Sequence, residues 1–370
     1  MKITFINRML GIKFGGGENL DLNFALELSK RGHEVKIISG RNNKIKPPII
    51  PNLGNVELIY IDTIYLRKYA YRFEKYKYLT YLSAFFFEID KYFFGLKIAK
   101  YLKNQNFYSD VYHLGGLTRL AKKIKILTNS KVVIHWVGKP GKSKLKFLED
   151  YDLNLAGGDV FKFIHKRKIP NLKFINIGVD TLKFSPNHKA KKSNVISFLS
   201  LGRLVHVKNI PLLLNAFHLA SKEVNNIFLT ICGSGEKEIV NQVKEFEKIN
   251  KRIKYLGEVK REKVHLLYKK NNVFLISSFY DNYPNTVLEA LSSGLPVIGT
   301  NVGGIPNQIT NGLNGILTKS NNVIEFKNAI IKIASSQELL NKMSIQARKT
   351  IITKHSWDKR AIELEKILME

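Results

Sequence analysis

Val195-Ile-Ser-Phe-Leu-Ser200-Leu-Gly-Arg-Leu-Val-His-Val-Lys-Asn209 decides the fold. A β-rich apolar run ends at Ser200, Gly202 permits a tight turn, and a helix is predicted to open near Pro211. Downstream the rhythm continues. Strands are predicted at Ile227–Cys232, Val273–Ser277 and Pro296–Gly299, and helices from Glu236 and over Asn285–Ser293. Upstream it has already run once. Lys2–Ile6 reads as a strand, and Leu20–Arg31 carries Leu22, Ala25, Leu26 and Leu28 at helical spacing. Gly32 follows as a C-cap, and Glu34–Ser39 reads as the next strand.

Alternation of this kind predicts an α/β fold of two doubly wound parallel sheets covered on both faces. The polar, basic stretch Ser185-Pro-Asn-His-Lys-Ala-Lys-Lys-Ser-Asn194 reads as a linker. The predicted domains are therefore 1–185 and 195–350, joined by 186–194. The closing amphipathic helix, 351–370, is expected to pack back on the first domain. Two such domains facing each other would leave a cleft, with ligands at the C-terminal ends of the strands.

Length and composition agree with two ordinary domains: 370 residues, 44% apolar and 24% charged. Charge does not follow the average. Sixty Lys and Arg face 30 Asp and Glu, a formal net charge of +30, which attracts polyanions or simply makes a Lys-rich solvated surface. The single Cys232 excludes an internal disulfide and a cysteine-based metal site, and its place in an apolar run makes it core filler. Met1–Arg8 lacks a signal-peptide pattern, and no apolar run is long enough to span a bilayer, so a cytoplasmic body is expected.

Chemistry concentrates at the predicted strand ends. Arg203 and Lys208, between a strand and a helix N-terminus, suit a diphosphate. Cys232-Gly-Ser-Gly-Glu236 places Gly233 and Gly235 at the next strand end, as a sharp turn or a close backbone approach to a ligand. In Ser277–Pro306, Asp281 stands at a strand mouth and Pro284 opens a helix. Asn285 and Thr286 lie in its first turn and Glu289 one turn in, so both acids can accept hydrogen bonds from sugar hydroxyls. Gly303-Gly304 makes another N–H-rich turn.

These residues resemble glycosyltransferase family 4, the two-domain, retaining GT-B enzymes also called glycosyl transferases group 1. The resemblance covers nearly the whole chain and is densest over 198–306. Gly202-Arg203…Lys208 matches the family's phosphate clamp, Gly233-Ser-Gly235 its Gly-x-Gly turn, and Asp281…Glu289 its acid–x7–acid element. The resemblance implies that Glu289 contacts the donor ribose and the first acid the transferred sugar. Phe14-Gly-Gly-Gly-Glu-Asn-Leu20 resembles the loop closing on donor and acceptor, which gives Gly15, Gly16, Gly17 and Glu18 that role. His135, in Val132-Val-Ile-His-Trp136, matches an active-site histidine near the sugar, and Asn176–Pro186 matches the interdomain crossover.

Three positions depart from the pattern: Asp281 replaces the usual Glu, Asn282 the usual Gly, and Ile177 an Asn. The implied co-substrate is a nucleotide-diphosphate sugar, with no cofactor and no metal. Asp150-Tyr-Asp152 is formally a metal-binding Asp-x-Asp, but it leads into a predicted strand.

Aromatic and basic residues interleave from Ile64 to Lys103, including Tyr69, Tyr71, Tyr76, Tyr78, Tyr81, Phe85-Phe-Phe87, Tyr92 and Phe93-Phe94. This composition suits an anionic membrane surface, single-stranded nucleic acid, or a packed core. The expectation is a glycosyltransferase with a sugar or lipid-linked acceptor, peripheral on the inner membrane face. A sugar-nucleotide epimerase and a basic nucleic-acid-binding protein are the alternatives.

Overall fold

A computed structural model describes residues 1–12, 15–48, 50, 52–66, 80–169, 171–187 and 194–370, with the backbone alone over 80–84. Phe14, the linker from 188 to 193, the basic and aromatic residues between 67 and 79 (Tyr69, Tyr71, Tyr76 and Tyr78 among them) and the Tyr81 side chain lie outside the described residues. The chain divides into two compact units. The first is Met1–Ile177 with Arg360–Glu370, and the second is Gly178–Lys359.

The first unit holds a seven-stranded sheet of β1 (Lys2–Asn7), β2 (Glu34–Arg41), β3 (Glu57–Asp62), β4 (Val111–Leu114), β5 (Lys131–Trp136), β6 (Leu153–Ala156) and β7 (Leu172–Phe174). The order is β3-β2-β1-β4-β5-β6-β7, and every pair is parallel. From Ile3 on β1 is buried without alternation, as is all of β4, because helices cover both faces. Strand order reverses between β1 and β4, where loops diverge and leave room for a ligand.

Helix Thr80–Asn104 covers one face, with Phe94, Ile98 and Leu102 buried at intervals of four. Its aromatics divide. Phe94 is in the core, whereas Phe85, Tyr92 and Phe93 are 59%, 46% and 45% exposed. Part of the segment is thus core packing and part is surface.

Helix Gly16–Lys30 begins four residues before the predicted Leu20. The glycines read as a loop are its first turn, where backbone N–H groups need no intrahelical partner and glycine's low helix propensity matters little. At the other end, helix Gln337–Lys354 runs through 351–354, so the closing helix starts only at Trp357, after a break at His355 and Ser356. Arg360–Glu370 belongs to the first unit. Glu365 accepts from Arg31 and pairs with His33 Nε2 at 2.7 Å, and Lys131 donates to the Leu368 carbonyl at 3.0 Å.

The second unit carries β8 (Ile196–Leu201), β9 (Ile227–Cys232), β10 (Ile253–Tyr255), β11 (Val273–Ile276), β12 (Val297–Thr300) and β13 (Gly315–Thr318). Their order is β10-β9-β8-β11-β12-β13, again all parallel. Phe198, Phe217, Ile231, Leu275 and Phe326 lie in its core, and helix Val323–Ala334 packs on helix Ile210–Glu223. Cys232 is fully buried, and burial pushes its thiol up to about 11, so it is filler rather than nucleophile. The strand-order reversal here lies between β8 and β11, whose following loops carry Arg203, Lys208 and Asp281.

Candidate active site

In the second unit, the turns after β8 and β11 close a small pocket. Gly202, Arg203, Lys208, Ser277, Ser278 and Thr286 line it. Two hydrogen bonds to backbone carbonyls hold the loops together: the Ser277 side-chain Oγ donates to the Lys208 carbonyl at 2.9 Å, and Phe279 N donates to the Val207 carbonyl at 2.9 Å. Arg203 is exposed. Lys208 Nζ donates to Asp281 Oδ2, with the two side chains 22% and 16% exposed. The cation assigned to a diphosphate and the acid assigned to a sugar therefore hold each other. Ser278 Oγ, in a fully buried residue on the pocket wall, has no hydrogen-bond partner among the described residues. It is a polar atom suited to a ligand oxygen.

Glu289 is on helix Asn285–Ser292 but not on the pocket wall. Tyr268 OH donates to Glu289 Oε2 at 2.9 Å and to the Thr286 carbonyl at 3.3 Å, so it links the acid to the turn that does line the pocket. Burial pushes the Glu289 carboxyl up to about 7, and the Tyr268 hydrogen bond opposes that shift. Tyr268 escaped sequence reading because it sits 21 residues away on helix Val264–Lys270, in a run with no motif. Asn285 is exposed beside Thr286.

Gly233 and Gly235 do not line the pocket. A Cβ on Gly233, whose φ is +140°, would stand 1.8 Å from the Gly202 carbonyl oxygen, and one on Gly235 would stand 2.1 Å from that of Leu204. These glycines let the β9 loop lie directly on the β8 loop, shaping the Gly202-Arg203 turn from behind. Gly303 does the same for the acid loop, a Cβ there lying 1.9 Å from the Asp281 carbonyl oxygen. The Gly304 N–H is spent on that same carbonyl, at 2.9 Å.

In the first unit, a cavity of about 370 Å³ opens at the C-terminal ends of β1, β4 and β5. Gly17, Glu18 and His135 line it, with Asn7, Arg8, Asp21, Lys91 and Lys144. Gly15 is the N-cap and Gly16 the first residue of the helix that brings Glu18 there. His135 is 7% exposed, and burial pulls its imidazole down to about 4, so it is neutral at pH 7. Its Nδ1 makes no hydrogen bond among the described residues.

Beneath it His113, pulled down to about 3 by burial and then by His135, lies 3.5 Å from Asp21 Oδ1. Asp21 also accepts from Asn7 Nδ2 at 2.6 Å, and burial raises its carboxyl to about 7. Sequence reading missed Asp21. The signal was an acid in the buried stripe with Phe24, Ala25 and Leu28. Among the described residues no cluster of His, Cys, Asp and Glu could hold a metal ion. Asp150 and Asp152 are engaged by Lys122 and Lys125, at 3.2 and 2.7 Å. No helix of the described residues is long and apolar enough to cross a membrane.

Comparison with known proteins adds to this geometry. Residues 181–350 match the family model described as glycosyl transferases group 1. The chain is 30% identical over 212 residues to the UDP-Gal:alpha-D-GlcNAc-diphosphoundecaprenol alpha-1,3-galactosyltransferase of Escherichia coli, covering 52% of each protein. It is 24% identical over 359 residues to an uncharacterised glycosyltransferase of Haemophilus influenzae, 94% of each. The chain spans about half the length, or less, of the first curated relatives it matches. Among solved structures, Anabaena HepE in complex with UDP superposes over 100% of both chains with a TM-score of 0.75 at 14% identity, a likeness of fold.

Proposed function

The chain belongs to the glycosyl transferases group 1 family, and on that footing we propose that it is a retaining, metal-independent GT-B glycosyltransferase. It moves a hexose from a UDP- or GDP-sugar to a lipid-linked acceptor. The observation that carries the donor half is the pocket after β8 and β11, where Gly202, Arg203, Lys208 and Thr286 meet at the reversal of strand order.

In the reaction the bond from the sugar's anomeric carbon to the diphosphate oxygen breaks, and the diphosphate keeps the electron pair. The acceptor oxygen bonds to the same carbon, and its proton passes to the departing phosphate. Negative charge grows on the diphosphate throughout. Arg203 and Lys208 meet that charge, with Lys208 exchanging Asp281 for phosphate. Asp281, released, accepts from the sugar hydroxyls, and Glu289, held by Tyr268, accepts from the ribose. Neutral His135 orients the transferred sugar without adding charge. Gly16, Gly17 and Glu18 position the acceptor end.

A lipid-linked acceptor draws support from the diphosphoundecaprenol in the name of the Escherichia coli relative. Exposed Phe85, Tyr92 and Phe93 and the +30 charge suit an anionic membrane surface, on which the protein would be peripheral. Nucleic acid has no comparable support.

The test is calorimetric titration with UDP, GDP and their sugars, followed by product analysis with lipid-linked acceptors. UDP or GDP should bind, and the product should keep the donor's anomeric configuration with a metal chelator present. Failure of both nucleotides to bind, or an epimerised nucleotide sugar as product, refutes the reading.

A further inference from the structure

The acceptor-side cavity of the first unit has a neighbour. A shallow trough shares Lys91, Leu117 and Thr118 with it and continues along helix Thr80–Asn104. Its floor is apolar: Gly95, Leu96, Leu117 and Leu120. Gly95 keeps it open, since the nearest atom to a Cβ there would be Leu120 Cδ1 at 3.8 Å. Exposed Tyr92 stands on its rim beside Phe93, with the Lys123 ammonium 5.8 Å from the Tyr92 ring centre.

The wall between cavity and trough is cationic. Lys91 and Lys144 both reach Glu88 Oε1, each at 3.4 Å, so two ammonium groups share one carboxylate and one positive charge of the three groups stays uncompensated. Lys91 is 14% exposed, against the Phe87 ring at 4.5 Å. Burial, with Lys144 beside it, pulls its ammonium down to about 8. Arg119 and Lys123 line the trough from its exposed side. The acids on the cavity wall, Glu18 and Asp21, belong to helix Gly16–Lys30 rather than to this cationic wall. Along one line the surface thus offers hydroxyl-binding groups, then an anion site, then an apolar channel, then exposed aromatics.

The geometry points to a lipid-phosphate subsite: Lys91 and Lys144 bind the phosphate that joins an acceptor sugar to its hydrocarbon chain, and the trough floored by Gly95, Leu96 and Leu120 takes the first part of that chain. This rests on the acceptor reading above and gives it a location. An anion at this point relieves the repulsion between two lysines. A chain in the trough covers apolar surface at about 25 cal/mol per Å². A free phosphate gains only the first contribution and a neutral glycoside only the second.

Calorimetric titration at fixed ionic strength with decyl phosphate, inorganic phosphate and decyl glucoside tests this, in wild type, Lys91→Met and Gly95→Leu. Decyl phosphate should bind the wild type at least about tenfold more tightly than either other probe. Lys91→Met should weaken decyl phosphate about tenfold, the loss of one charge-assisted hydrogen bond. Gly95→Leu should weaken decyl phosphate and leave inorganic phosphate unchanged, so that decyl phosphate loses most of its advantage over inorganic phosphate. Equal affinity of wild type and Lys91→Met for decyl phosphate overturns the subsite, as does decyl glucoside binding as tightly as decyl phosphate. Lys91-dependent binding of decyl phosphate by a protein that glycosylates no lipid-linked acceptor supports the subsite and refutes the acceptor reading.

Discussion

Removing Asp281 should tighten the binding of bare UDP. Lys208 Nζ is bonded to Asp281 Oδ2, so the diphosphate must displace a carboxylate before it gains the ammonium. At 22% and 16% exposure the pair is neither a fully solvated ion pair nor a deeply buried one. Exposed pairs contribute about 0.2–1 kcal/mol, and breaking a buried pair costs about 3–5 kcal/mol. A value of about 1 kcal/mol fits this exposure, and Asp281→Ala is expected to tighten UDP about fivefold. Lys208→Ala should weaken UDP by about 1.5–3 kcal/mol, a factor of about 12 to 150, because the charge-assisted contact is lost. Turnover of the UDP-sugar by Asp281→Ala should nevertheless fall, since the hydroxyl acceptor is gone. Isothermal calorimetry with UDP on wild type, both single variants and the double variant measures this, with the coupling read from the cycle. If Asp281→Ala weakens UDP, or leaves it unchanged while Lys208→Ala weakens it, the exchange of partners by Lys208 is wrong.

Further outcomes follow from the same geometry. Gly233→Ala should destabilise the second unit by at least about 2 kcal/mol in urea unfolding, because its Cβ would meet the Gly202 carbonyl at 1.8 Å with φ at +140°. Glu289→Gln should stabilise the protein in a pH-dependent way. The folded carboxyl titrates near 7 against a usual 4.5, so wild type loses stability as pH rises through that window. The melting-temperature advantage of the variant should therefore be small at pH 4.5 and full above pH 7, and a constant advantage refutes it. Arg203→Ala should lower kcat/KM at least about tenfold with the fold intact by circular dichroism. Flotation with anionic vesicles should exceed that with neutral ones and fall with salt, whereas equal flotation would remove the electrostatic part.

Four strands of the second unit, β8, β9, β11 and β12, were legible because apolar runs such as Val273–Ile276 end at Gly or polar residues, and a parallel strand buried on both faces needs nothing else; β10 and β13, of three and four residues, were not named. Arg203, Lys208 and Thr286 were legible for the same reason, as each follows a strand end and all three share one pocket. What sequence reading could not supply is pairing across distance. Lys208 and Asp281 are 73 residues apart, and their mutual bond depends on β8 lying beside β11. Asp21 was hidden because an acid on a helix is ordinarily solvated. Only the packing of Asn7 and His113 against it makes it a buried group that titrates near neutrality. The start of helix Gly16–Lys30 was displaced because three consecutive glycines carry no periodicity.

The return of Arg360–Glu370 to the first unit makes the second unit an insertion in the chain's path. During synthesis the ribosome makes 1–177, then the whole of the second unit, and only then the segment that buries Ala361, Leu364 and Leu368 and gives His33 its carboxylate. The second unit can reach its final packing while the first still lacks the segment that supplies these three buried side chains. A nascent chain that has completed the second unit but not this segment thus leaves first-unit apolar surface open to proteases and to its own copies.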